Sequence, residues 1–244
     1  MLLNPHRFGS NHRAYEVVFS GSAYLTRGAN YTGLSDSTQG IFSCWVKFTG
    51  GNGSTQYLAI TDGGLGYNIQ RSDSNKFRVS LTDGSTEFSF ETSSSVTTAS
   101  GWVHLLASWD TNYSSGNKLS HIYLSDTSSK TVVSDGAAFT PDYNQSNHGV
   151  GANPSGAYPL RAEIADLYFA PGQFLDFSNS TNRRKFISSA GKPVSLGSTG
   201  STPTGVQPLV FLSGQATTFA TNLGSGGGMT TTGSLVDAGT SPSD

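Results

Sequence analysis

Two carboxylates three positions apart, Glu163 and Asp166 in the segment EIAD, are the side chains here suited to the most demanding chemistry. Glycoside hydrolysis needs one carboxyl group on each side of a sugar bond. On an extended strand, a spacing of three sends the two side chains to opposite faces. They straddle one bond only if a bulge intervenes. The expectation is a solvated or paired Glu163 and an Asp166 that caps a turn or bonds backbone. His104 and His121 fall on two runs, 102–110 and 118–125, that should pair around a turn near residue 114. That register faces His104 with Leu124 and His121 with Ala107, leaving the imidazoles about 10 Å apart along the ladder. Zinc nitrogens lie about 2.1 Å from one ion, so this pair makes no zinc site. Cys44 alternates with Phe42 and Val46 and reads as a small core hydrophobe, with Lys47 on the other face. No G-x-S-x-G opens a helix, and the GSGGG run at 224–228 has neither a Lys nor a following helix. No catalytic residue is assigned, and the chain is expected not to be an enzyme.

Binding chemistry is less constrained. Asp62, Asp83, Asp110, Asp126 and Asp135 sit near predicted strand ends, but no segment stacks alternating Asp/Asn ligands as a dedicated calcium loop does. Asp-Gly turns account for Asp62, Asp83 and Asp135. Calcium is left open, and no cofactor or metal is assigned. Arg183, Arg184 and Lys185 form a small basic cluster that reads as a solvated helix face. Tyr67, Tyr113, Tyr143 and Tyr158 lie in or beside loops rich in Gly, Asn and Ser, densest over 139–159. Flat aromatics with amide neighbours suit sugar stacking and protein interfaces equally. The sequence does not separate the two uses.

The elements that must position these groups are strands. Residues 41–48, IFSCWVKF, place Phe42, Cys44, Val46 and Phe48 on one face. Residues 102–110, WVHLLASWD, do the same with Val103, Leu105, Ala107 and Trp109. Similar runs recur at 15–20, 23–27, 57–61, 66–71, 76–81, 86–91, 119–125, 131–134, 148–151, 161–169, 207–212 and 229–235, with turn signals between them. One short helix is predicted near 179–188, capped by Ser178 or Asn179 and ended by Gly191 and Pro193, with Phe186 and Ile187 inward. The strand at 229–235 should pair near the N-terminal strand. At 244 residues the chain can bury one sizeable core, and one domain is expected. Only 12% of residues are charged and the net charge is −2, which gives no general footprint for nucleic acid. No apolar run approaches a membrane span, so no membrane insertion is expected. The opening MLLNPHRFGS lacks a leader's apolar region, and a single cysteine permits no internal disulfide. Folding in a cytoplasm is the expectation.

Three segments, FSGSAYLTR (19–27) with IFSCWVKF, GWVHLLASWD (101–110) with KLSHIYLSD (118–126), and LRAEIADLYFAPG (160–172), resemble the concanavalin A-like, laminin G-type family. The resemblance implies an antiparallel β-sandwich of the jelly-roll kind. The division expected is an extended arm at 1–14, one sandwich at 15–236 and a flexible tail at 237–244. LLNPHRFG (2–9) and the blocks 174–205 and 219–235 also resemble bacteriophage virion proteins that carry such sandwiches. That second resemblance implies a non-enzymatic virion protein, a capsid decoration (cement) or head-fibre protein assembled in the host cytoplasm. Its partners would be other virion subunits, in a homo-oligomer, with Leu2, Leu3, Pro5, Arg7 and Phe8 of the arm docking on a neighbour. The alternative is a lectin-like module, tail-fibre-associated or free-standing, that recognises a host surface glycan through the loop tyrosines.

Overall fold

Period-two alternation builds sixteen strands, which a computed structural model describes over residues 13–244. They are β1 (Glu16–Ser20), β2 (Tyr24–Arg27), β3 (Gln39–Phe48), β4 (Gln56–Thr61), β5 (Gly66–Arg71), β6 (Phe77–Thr82), β7 (Glu87–Glu91) and β8 (Val103–Ser114). Then follow β9 (Asn117–Leu124), β10 (Thr127–Ser128), β11 (Thr131–Asp135), β12 (His148–Val150), β13 (Arg161–Pro171), β14 (Val210–Leu212), β15 (Thr230–Thr232) and β16 (Val236–Asp237). The first sheet runs β10-β9-β8-β3-β13-β1-β16, with β14 added alongside β13. The second runs β11-β7-β6-β5-β4-β12-β2-β15. All pairings are antiparallel, and the two sheets form a sandwich. Its core holds the predicted inward faces: Phe42, Cys44, Val46 and Phe48 from β3, and Leu105, Ala107 and Trp109 from β8. Burial pushes the Cys44 thiol far above its ordinary pKa, so it is inert.

The outer face of the first sheet is also apolar. Ile41, Leu106, Tyr168, Ala170 and, on β14, Phe211 point away from the main core and are covered by Phe177, Phe186 and Leu196 from the chain after β13. Fully burying each large side chain stabilises the fold by roughly 1.5–3 kcal/mol. The expected helix shrinks to one turn, α1 (Ser180–Arg183), with Asn179 as its cap accepting from the Thr181 amide at 2.9 Å. Phe186 and Ile187 are buried as expected. The basic cluster is not a solvated face: Arg183 and Arg184 grip Asp126, and the Arg183 guanidinium lies 4.6 Å from the Tyr123 ring centroid.

β13 changes partner in mid-strand. Residues 161–165 pair with β1, and residues 167–169 with β14, across a bulge where Asp166 takes a left-handed φ of 49°. The register of β8 with β9 is offset by one from the expectation, Leu105 facing Leu124 and Ser108 facing His121, because an irregularity between Asp110 and Ser114 takes up residues near the turn. The C-terminus closes both sheets. β15, within the expected strand at 229–235, pairs with β2, and β16, just beyond it and not expected, pairs with β1. The expected flexible tail at 237–244 is instead pinned. Ala238 donates to the Glu16 carbonyl at 3.1 Å, Ser241 Oγ to the Ala14 carbonyl at 2.9 Å, and the Ala14 amide to Ser243 Oγ at 3.0 Å. Ala14, assigned by sequence to the arm, is buried with Trp45, Ala165 and Ile187. The arm residues Leu2, Leu3, Pro5, Arg7 and Phe8 lie outside the described residues.

Two imidazoles are locked inside. His104 Nε2 pairs with Ser43 Oγ at 2.8 Å and its ring stacks on Trp45 at 4.7 Å. His148 bonds Tyr67 and the Gln145 carbonyl. Burial pushes His104 down to about 3, and pushes His148 down to about 4 against the opposing Gln145 carbonyl. Both folded values lie below that of the unfolded chain, so their contribution is complete above about pH 6.5 and fades as the pH falls toward the folded values. Urea unfolding should therefore show stability lower by about 2 kcal/mol per histidine at about pH 5 than at about pH 7.5. His148→Gln should remove close to half of that difference; an unchanged pH slope in the variant would contradict the assignment.

Candidate functional site

The covering segment leaves the second sheet's outer face open. Tyr67, Ile69, Val79, Leu81, Phe88 and Phe90 point into the core, so their neighbours along β5, β6 and β7 point out. These are Asn68 and Gln70, Arg78, Ser80 and Thr82, and Glu87, Ser89 and Glu91. Cross-strand register sets Asn68 beside Ser80, Ser80 beside Ser89, and Arg78 beside Glu91. A recess of about 290 Å³ opens here, lined by Gly64, Tyr67, Asn68, Ser80, Thr82 and Glu87. Asn68 Oδ1 is buried and has no hydrogen-bond partner among the described residues. Such an acceptor lacks the compensation that buried polar atoms normally find.

Tyr57 on β4 is in register with Gln70 and reaches the recess through its side-chain hydrogen bond with Asn68. Its ring packs edge-on against Tyr158, with centroids 5.0 Å apart and planes at 62°. Burial, then Tyr158, push the Tyr57 phenol above its ordinary pKa against an opposing hydrogen bond with the Asn68 side chain, so it stays an O–H group at neutral pH. Tyr158 is 51% exposed and holds a left-handed φ of 56°. It rides on a loop stapled by Asn153, whose Oδ1 accepts from the amides of Ser155 and Ala157 at 3.2 and 2.7 Å. The Tyr158 carbonyl in turn accepts from the Tyr57 amide at 3.1 Å. The loop lies directly on β12. A Cβ at Gly149 would collide with the Ala152 carbonyl oxygen, so only glycine fits beneath it. Two aromatic rings and a polar strip are thus held at fixed positions before any ligand arrives.

Charge on this face is largely committed. Lys76 and Arg78 meet Glu91 at 3.0 and 2.8 Å. Burial opposes ionisation of Glu91, but the hydrogen bonds from Arg78 and Lys76 outweigh it and hold its carboxyl below the ordinary value. Glu87 and Glu91 are four residues apart on one strand, about 13 Å. Catalytic carboxylate pairs sit roughly 5–9.5 Å apart. The EIAD carboxylates do no better: Glu163 is tied to Lys47 at 3.1 Å and to Thr240, while Asp166 is buried and accepts from Ser213 at 2.6 Å. The bulge that could have joined them is present, but it delivers Asp166 to Ser213.

The four tyrosines read from the sequence separate. Tyr158 is on the open face. Tyr113 is exposed but stands by Phe174, 6.1 Å between centroids, on the side of the first sheet. Tyr67 and Tyr143 are corrections, because both are buried. Tyr67 shares the inward parity of Ile69, and Tyr143 takes a hydrogen bond from Trp109 Nε1 at 2.7 Å. Tyr57 and Asn68 were missed. Strand alternation could have flagged Asn68, but an irregularity between Tyr57 and Ala59 hides the parity of Tyr57. The aspartates at strand ends are engaged in turns or ion pairs, as with Asp83, whose Oδ1 accepts from the Ser85 and Thr86 amides. Among the described residues, no three His, Cys, Asp or Glu side chains converge on a point that could hold a metal.

Comparison with known proteins gives the family. A family model described as the concanavalin A-like lectin/glucanases superfamily matches residues 19–172. A crystal structure from Bacteroides ovatus, titled a "putative carbohydrate binding protein", superposes with a TM-score of 0.65 at 9% identity, covering 94% of this chain and 62% of that one. A heptameric SAP-like pentraxin from Limulus polyphemus gives a TM-score of 0.46 at 11% identity, covering 68% of this chain and 79% of its own. Domains LG4-5 of the mouse laminin α1 chain give 0.45 at 15%, covering 68% and 44%. The chain therefore spans less than two thirds of the Bacteroides and laminin chains. No curated protein sequence matches it. The match of the family model over residues 19–172, more than half of the chain, makes this chain a member of the concanavalin A-like lectin/glucanase superfamily.

Proposed function

We propose that this chain is a carbohydrate-binding module that holds a glycan, without cleaving it, on the outer face of the second sheet. The observation that carries the reading is the Tyr57–Tyr158 pair on the same face as a recess lined by Asn68, Ser80, Thr82 and Glu87, with the Asn68 amide oxygen buried just beneath that surface and without a partner among the described residues. A sugar's C–H face stacks on an aromatic ring, and its hydroxyls seek amide, hydroxyl and carboxylate partners. Asn68, Ser80, Thr82 and Glu87 supply those partners within one recess. Membership of a lectin and glucanase superfamily and the sandwich shared with the Bacteroides protein support the same reading. The spacing of the carboxylates favours binding over hydrolysis.

A place for the module is proposed on a second ground. The resemblance of residues 2–9, 174–205 and 219–235 to virion proteins supports a bacteriophage particle as its setting, with other virion subunits and further copies of itself as partners. A module so placed would present its open face to host surface glycan. Quantitative mass spectrometry of purified particles tests this, and absence of the chain from the particle would overturn it.

On a glycan array the protein should retain a defined set of oligosaccharides. Tyr57→Ala and Tyr158→Ala should each weaken the retained ligand about tenfold or more, the loss of one stacking surface. Unaltered far-UV circular dichroism should accompany the loss. Affinity that survives both substitutions would refute the site. Gly149→Ala is expected to lift the 151–159 loop off β12 and weaken binding as much as Tyr158→Ala does. Wild-type affinity in that variant would show that the loop's position is irrelevant.

A further inference from the structure

Three cross-strand rungs divide the open face of β5, β6 and β7 into zones of different charge. Gln70, Arg78 and Glu91 form one rung, Asn68, Ser80 and Ser89 the next, and Gly66, Thr82 and Glu87 the third. In the first rung charge closes on itself, because Glu91 takes Lys76 at 3.0 Å and Arg78 at 2.8 Å. The middle rung is neutral. The third ends in Glu87, which is exposed and whose carboxylate has no ion pair or hydrogen bond among the described residues. Four residues of strand separate Glu87 from Glu91 by about 13 Å. Charges in physiological salt are screened over about 8 Å, so Lys76 and Arg78 do not neutralise it. The recess lies over the middle and third rungs, with Asn68, Ser80, Thr82 and Glu87 in its lining. Other charge at this end has the same sign or is already paired. Asp83, in the turn after β6, is exposed, and the Thr86 and Ser85 amides hold its carboxyl below the ordinary value. Asp142 donates its amide to the Thr82 carbonyl at 3.1 Å. Lys118 is nearly buried and is spent on Asp135 at 2.9 Å.

An uncompensated carboxylate in the wall of a recess sets two preferences. It attracts a positive group on a ligand and repels a negative one, and the low-dielectric walls of a recess concentrate that field. A hydroxyl gains an ordinary hydrogen bond from it, whereas an ammonium gains a charge-assisted one of about twice the strength. A ligand carboxylate or sulfate would meet Glu87 with no cation left over to receive it. We propose that this recess prefers a sugar bearing a free, unacylated amine and rejects sugars bearing a carboxylate or sulfate there, with Glu87 as the discriminating residue. The proposal rests on the glycan reading of this face: the tyrosine pair holds the sugar and Glu87 reads its charge.

An array of oligosaccharides in matched sets, differing only in a free amine, its N-acetyl form or a carboxylate, tests the proposal on the full chain below the pKa of the amine. Amine-bearing members should be held about fivefold more tightly than their acetylated counterparts, and carboxylate members least. Raising the salt to about 0.5 M should shrink that preference. Glu87→Gln should bring the amine-to-acetyl ratio to about one, and Glu87→Lys should invert the order in favour of the carboxylate. The ratio compares ligands within one variant, so a general loss of affinity does not imitate the effect. The native protein's ratio decides the matter if neither variant retains sugar. Equal retention of amine and acetyl forms, tightest retention of the carboxylate form, or a preference that persists in Glu87→Gln would overturn this inference and leave the tyrosine site standing. Retention of no sugar at all would overturn both.

Discussion

A sandwich of two sheets has two outward faces, and here the chain after β13 covers one of them. Phe177, Phe186 and Leu196 lie over Ile41, Leu106, Tyr168 and Phe211, so the middle of the first sheet is buried on both sides. This covering layer is the constraint on which the rest depends. It explains why β3 and β13 read as nearly continuous apolar runs, and it turns the basic cluster inward, where Arg183 and Arg184 clamp Asp126 at the β9–β10 turn. It also assigns the remaining polar face a job. With one side closed, the face built by β4 to β7 is left with outward side chains rather than a packed layer over it.

On that open face, rigidity matters more than chemistry. Weak sugar–aromatic contacts give useful affinity only when the rings need no ordering on binding. Tyr158 meets this requirement through the Asn153 staple and the close seat over Gly149, and Tyr57 through the ladder of β4 with β5. The charged residues nearby are spent on one another, Glu91 between Lys76 and Arg78. The groups left for a ligand are Asn68, Ser80, Thr82 and Glu87, neutral or singly acidic, and these suit a hydroxyl-rich ligand.

The longer strands were legible because each has an apolar face of period two, and a short turn or break separates most of them. The two-residue strands β10 and β16, exposed and without such a face, were not legible. IFSCWVKF and WVHLLASWD needed nothing beyond alternation to place Phe42, Cys44, Leu105 and Trp109 inside. What alternation could not foresee was interruption. The irregularity near Asp110 moved the β8–β9 register by one, and the one after Tyr57 concealed an outward-facing ring. Loop composition misled in the opposite direction: Tyr143 lies in a polar stretch, yet its ring enters the end of the core to pair with Trp109. The tail looked loose because Gly, Ser and Thr carry no apolar signal. Its attachment is made of hydrogen bonds to residues far away in sequence, such as Ser241 with Ala14 and Thr240 with Glu163.

The central claim is that a glycan sits on the second sheet's outer face. A crystal structure with the oligosaccharide held most tightly on an array tests it directly. The account predicts a sugar ring against Tyr57 and Tyr158, with a hydroxyl or amide donating to Asn68 Oδ1. A sugar bound instead beside Tyr113 and Phe174, or on the covering segment between β13 and β14, would contradict it.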